Sequence, residues 1–135
     1  MHTKMNRREL LTAGALALSD LASGHALAND TQGGVVVRIA ELEIDPAQLE
    51  SYKAAVKEEM EDAVRLEPGV LAIYAVAEKD NPVRLRFFEI YASEKAYRAH
   101  LESPHFRKYV ITTQHMIKSR KLIETVPIQL SAKPK

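Results

Sequence analysis

The chain has no cysteine, no tryptophan, and only 5 glycines and 6 prolines among its 135 residues. Without cysteine there are no disulfides, thiolate zinc sites, iron–sulfur clusters, cysteine nucleophiles or lipoprotein anchors. Neither sign of charge dominates. Lys and Arg number 19 against 18 Asp and Glu, so a net charge of +1 gives no electrostatic reason to expect nucleic acid or an anionic membrane surface as partner. The apolar stretch nearest the N-terminus, nine residues from Leu10 to Leu18, covers ~14 Å as a helix, about half of a ~30 Å hydrocarbon core. No stable membrane anchor is expected. What is present, 46% apolar and 27% charged residues, is the composition of one ordinary globular domain.

The N-terminus has the layout of a secretory signal: a positive start, the apolar stretch, then small residues ending at Ala26, Leu27 and Ala28. Arg7 and Arg8, followed by Glu9, Leu10 and Leu11, resemble a twin-arginine export signal. The expectation is a signal over residues 1–28, cleavage after Ala28, and a periplasmic or otherwise exported product. An N-terminal helix that stays and packs is the alternative. Cleavage would remove Lys4, Arg7 and Arg8 against Glu9 and Asp20, leaving 16 charges of each sign on a neutral domain.

Residues 29–34 read as a polar linker, and the β-branched residues between Val35 and Ile44 predict a first strand. Asp45 and Pro46 suit the start of a helix whose apolar positions Leu49, Tyr52, Val56, Met60, Ala63 and Val64 recur at helical spacing. Glu67, Pro68 and Gly69 break it. Val70 to Ala77 and Val83 to Tyr91 then predict two strands joined by a short turn, hence an antiparallel hairpin. Ser93 caps a second helix through Leu101, Ser103 and Pro104 restart helical structure to about Ile117, and a last strand is expected from Leu122 to Leu130. Residues 131–135 form a tail. Strand, helix, strand, strand, helix, strand is the α+β, ferredoxin-like split βαβ layout, a four-stranded antiparallel sheet with helices on one face.

Helices cover one face, yet strand two is apolar on both: Val70, Ala72, Tyr74 and Val76 point one way, Leu71, Ile73, Ala75 and Ala77 the other. A small sheet with two apolar faces needs a second protein surface, and a symmetric copy supplies it. A homodimer packed sheet on sheet is therefore expected.

The run from Glu67 to Tyr74, then Phe88 to Tyr91, then Ala99, His100, Leu101, Glu102, Ser103, Pro104, His105 and Phe106, resembles the antibiotic biosynthesis monooxygenase family. The resemblance spans residues 35–126. It implies a dimeric ferredoxin-like α/β barrel. The activities it implies include oxygenation of quinols and polyphenols without a cofactor, processing of a quorum signal, and haem degradation. The haem-degrading branch is implied to use an Asn, a Trp and an axial His. This chain has no Trp, and Asn81 is the only Asn of the domain besides Asn29.

Three histidines fall in the domain, at positions 100, 105 and 115. None forms a His-x-x-x-His pair, and Ser103 and Pro104 interrupt the helix between the first two, so helical spacing presets no metal platform. Neither metal nor cofactor is expected. The remaining chemistry is that of an apolar pocket with an acid–base pair, which suffices to deprotonate a dihydroxyaromatic for attack by dioxygen. Glu89 shares the parity of Leu85 and Phe87, and His100 lies on the next helix. The candidate catalytic pair is His100 as base with Glu89 orienting it, or else a buried structural pair. Tyr74, Tyr91, His105 and Phe106 are candidates for substrate binding, each also readable as core or surface. The leading expectation is a monooxygenase of a small aromatic, quinol-like substrate. The alternative is a non-catalytic dimeric module, in ligand binding or stress response, with the same fold.

Overall fold

The computed structural model describes residues 34–135, so the expected export signal and most of the expected linker lie outside the described residues. The elements are β1 (Val36–Ile44), a 3-10 turn (Pro46–Gln48), α1 (Leu49–Leu66), β2 (Val70–Glu78), β3 (Asn81–Tyr91), α2 (Glu94–Glu102), α3 (Pro104–Thr113) and β4 (Ile117–Glu124). The strands form one antiparallel sheet in the order β2-β3-β1-β4. This is the expected α+β, ferredoxin-like fold.

Local chemistry sets the element ends. The Asp45 carboxylate accepts from the Ala47 amide at 3.1 Å, but the segment it caps is the 3-10 turn, and α1 proper begins at Leu49. The buried stripe of α1 is Tyr52, Val56, Glu59 and Ala63, whereas Val64 is exposed. A carboxylate thus occupies an inner position of the helix. At the C-terminal end, α3 stops at Thr113 and β4 starts at Ile117, five residues before the expected Leu122. Thr113 donates its hydroxyl to the Tyr109 carbonyl, and the Asp45 amide donates to the Met116 carbonyl, which ties the chain to the end of β1 and starts pairing there. Pairing ends at Glu124, and Val126 and Ile128 lie exposed beyond it.

The parity of β2 also differs from the sequence reading. Val70 pairs with Tyr91 and Ala72 with Ile90, so Leu71 is an extra residue and Val70 faces the helices with Ile73. On the helix-covered side Ala40, Leu42, Ile44, Leu85, Phe87 and Tyr91 meet Tyr52, Val56, Ala63, Tyr97 and Leu101. Each fully buried large side chain stabilises by roughly 1.5–3 kcal/mol. One buried ion pair anchors α2 to β1: the Arg38 guanidinium is 3.3 Å from Glu94 and stacks 4.6 Å from the centre of the Tyr97 ring. The other face of the sheet exposes Tyr74, Val76 and Phe88.

Candidate functional site

Ser103 decides the local geometry. It accepts from the Phe106 amide as the N-cap of α3 and donates to the His100 carbonyl at 2.7 Å, ending α2 and restarting the helix in a new direction. The break carries His105, in the first turn of α3, back towards His100 in the last turn of α2. Opposite them, the α1–β2 turn presents Glu67. Gly69 allows that turn to approach α2: a Cβ there would sit 2.4 Å from the Ala96 Cβ.

These constraints place three side chains around one oxygen. Glu67 Oε2 is 2.8 Å from His100 Nδ1 and 2.5 Å from His105 Nε2. The other nitrogen of His100, Nε2, lies 3.2 Å from Glu59 Oε1. Burial opposes the charge on His100, but hydrogen bonding and attraction from Glu59 and Glu67 outweigh it and push the imidazolium up to about 9. Burial likewise opposes ionisation of Glu67, and the hydrogen bonds from His100 and His105 overcome it and hold this carboxyl below its usual range.

Inside the protein, His100 borders a cavity of about 90 Å³ between the sheet and the helices. Its wall is mostly apolar, from Ala40, Leu42, Ile73, Phe87 and Phe106 among others, with Glu59, Glu89, Tyr91 and Tyr109 as polar members. Glu89 does not hold His100. Its carboxylate accepts from the Tyr91 hydroxyl at 2.6 Å, because residues two apart on β3 share a face and the tyrosine reaches back along it. Burial drives the Glu89 carboxyl up, only partly offset by the Tyr91 hydrogen bond and the attraction of His100. The Tyr91 phenol is driven well above its usual range, first by burial and then by Glu89.

Of the residues singled out from sequence, His100, Glu89, Tyr91 and Phe106 border this cavity. His105 does not; it reaches Glu67 from a surface groove on the outer side. Tyr74 is 62% exposed and pairs with Phe88 on the face opposite the helices, so it cannot line the cavity of its own chain. Glu59, Glu67 and Tyr109 escaped the sequence reading. Glu59 carries a signal in hindsight, a charged residue in register with Tyr52, Val56 and Ala63; Glu67 looked only like part of a helix-breaking turn. Helical spacing gave no metal platform, yet the Ser103–Pro104 break that argued against one is what unites His100 and His105. Their ring nitrogens and a Glu67 oxygen all lie within 4.8 Å of one another, a set able to hold a metal ion.

The model of one family, antibiotic biosynthesis monooxygenase, matches residues 35–111. The chain belongs to this family. A crystal structure from Bacteroides thetaiotaomicron, named as a candidate antibiotic biosynthesis monooxygenase, is 46% identical, covers 75% of this chain and 96% of its own, and superposes with a TM-score of 0.71. A candidate monooxygenase from Lactobacillus acidophilus is 34% identical over 70% of this chain and 45% of its own, with a TM-score of 0.68. A candidate family member from Nitrosomonas europaea is 24% identical over 74% of this chain and 96% of its own, also at 0.68, and supports the fold alone. None of the curated proteins matches the sequence. Among the described residues, no helix is long and apolar enough to cross a membrane.

Proposed function

We propose that this member of the family is a monooxygenase that uses dioxygen to hydroxylate a small dihydroxyaromatic in the cavity beneath α2 and α3. The observation that carries the reading is the Glu89 carboxylate, half-buried on the wall of a mostly apolar cavity and held there by the Tyr91 hydroxyl. In this reading the roles expected from sequence for His100 and Glu89 are exchanged. His100, clamped between two carboxylates, is a fixed cation at neutral pH, so Glu89 takes the proton from a substrate hydroxyl. Tyr91 positions Glu89, and the His100 charge stabilises the phenolate and the reduced oxygen that follows. Phe106 and Tyr109 form aromatic walls for the substrate ring.

The electrons balance within this reaction. A quinol and dioxygen give a hydroxyquinone and water; the substrate surrenders four electrons, two in hydroxylation of the ring and two in oxidation to the quinone. One oxygen atom enters the ring and the other leaves as water. No external reductant is required, which supports the cofactor-free reading. The cavity of about 90 Å³ is smaller than the ~150 Å³ void that takes up benzene, so a ring enters by displacing part of the wall.

The same reading pairs two copies through the open sheet face, where Tyr74, Val76 and Phe88 expose apolar surface. It also includes export, directed by a signal over residues 1–28. The experiment is an oxygen electrode with a panel of reduced quinones and polyphenols in chelator-treated buffer. Oxygen uptake above autoxidation, lost in Glu89→Gln with the oligomer intact, supports the enzyme. Identical traces with and without protein refute it and favour the non-catalytic ligand-binding module.

A further inference from the structure

The cluster on the outer side of His100 has a second use: a cation held there would replace the imidazolium proton as the positive charge beside the cavity. We propose that Glu67, His100 and His105 form a binding site for a divalent cation of the zinc class. The site would take the ion through two imidazole nitrogens and one carboxylate oxygen. The donors are Glu67 Oε2, His100 Nδ1 and His105 Nε2, on side chains only 14%, 4% and 9% exposed. Two histidines and a carboxylate with one position left open is the donor set of catalytic rather than closed structural zinc sites. Imidazole ligands select for the zinc, iron and nickel group over calcium and magnesium.

Three features outside the donor set support the assignment. Behind His100, Glu59 lies 3.2 Å from Nε2, the nitrogen a metal on Nδ1 would leave free. A carboxylate behind a ligating histidine fixes its ring orientation and raises its basicity. In front, Glu67 and His105 border a surface groove with Ser103 and Pro104, which gives an ion a route in and solvent a place at the open position. The supports are packed: Ser103 bonds to both histidine-bearing helices, and the turn that carries Glu67 lies close against Ala96 at Gly69. Ligands at ~2.0–2.1 Å in a tetrahedral site stand roughly 3.3 Å apart. The two separations from Glu67, 2.8 and 2.5 Å, therefore need to widen by less than 1 Å, and the two imidazole nitrogens, which lie within 4.8 Å of one another, need to close towards the same spacing by rotation of the histidine rings.

The neighbouring charges are compatible with a cation. Glu59 on α1 faces His100, Glu89 on β3 interacts electrostatically with His100, and the one lysine of the groove close to His105 in sequence, Lys108, is held 2.7 Å from Glu58. The metal displaces protons from the imidazoles, so apparent affinity rises with pH.

Chelator-treated full-length protein, titrated with zinc chloride by calorimetry and then dialysed for elemental analysis, tests the site. The expected result is one zinc per chain and a raised thermal midpoint. His105→Ala and Glu67→Gln should each weaken zinc binding by about 100-fold, Glu59→Gln by about 10-fold, and His115→Ala should leave it unchanged. Circular dichroism confirms that each variant folds. Cobalt substitution should add visible ligand-field bands that His105→Ala abolishes. The assignment is overturned by zinc below stoichiometry, or by zinc and cobalt binding that survives in both His105→Ala and Glu67→Gln.

Discussion

Glu89 and His100 each carry an electrostatic burden, of opposite kinds. Glu89 is a cavity-wall carboxyl whose charged form is penalised by desolvation, and Tyr91 donates a hydrogen bond to it. A group whose folded affinity for protons is raised adds stability below its unfolded range and loses it as pH rises through the folded value. Near neutrality Glu89 therefore costs stability. Glu89→Gln should raise unfolding free energy by on the order of 1 kcal/mol in urea denaturation while removing oxygen uptake, the trade expected of a strained functional group. His100 has a raised value too, about 9 against an ordinary 6.5, but here partners rather than burial raise it. Its contribution is complete below about pH 6.5 and disappears as pH climbs through about 9. In metal-free buffer, the stability advantage of the native chain over His100→Gln should shrink by about 3 kcal/mol between pH 6 and pH 10. A pH-independent difference would mean that the Glu59 and Glu67 contacts do not hold the imidazolium.

Among the elements, the hinge between α2 and α3 and the turn before β2 are the parts on which the site depends. Gly69→Ala would drive a methyl into Ala96 at 2.4 Å, so either the turn that carries Glu67 or the helix that carries His100 must shift. The variant should lose about 1–3 kcal/mol of stability and shift the His100 imidazole resonances in NMR titration. Unchanged resonances would show that Glu67 is not positioned by that contact. The same elements explain what sequence could and could not tell. Strong turn chemistry at Asp45–Pro46, Glu67–Gly69 and Ser103–Pro104 made most element boundaries readable, and with them the fold. The end of α3 was misplaced because Val110, Met116 and Ile117 continue an apolar spacing that does not reveal where the chain switches to a strand. The Leu71 bulge had no local signature at all. His100 and Glu89 were found because polar residues on apolar faces are conspicuous, but their partners depend on tertiary approach. Only the folded chain brings Glu67 within reach of both histidines, across 33 and 38 positions of sequence.

At the scale of the whole molecule, one sheet face is packed by helices and the other exposes Tyr74, Val76 and Phe88 at 62%, 64% and 36%. In the proposed dimer a second copy on that face would cover these apolar residues, and Tyr74 would lie at the interface rather than at the cavity. Light scattering should report a dimer at micromolar concentration, and Val76→Glu should convert it to monomer by forcing an unpaired charge into the contact. A monomeric native chain would contradict the pairing. The central claim, that the cavity performs oxygenation, is tested most directly by oxygen consumption with a reduced-quinone panel. The account predicts uptake above autoxidation, one oxygen molecule per quinol converted to hydroxyquinone, abolished in a folded, normally assembled Glu89→Gln. Uptake that is the same without protein, or undiminished in Glu89→Gln, would contradict it.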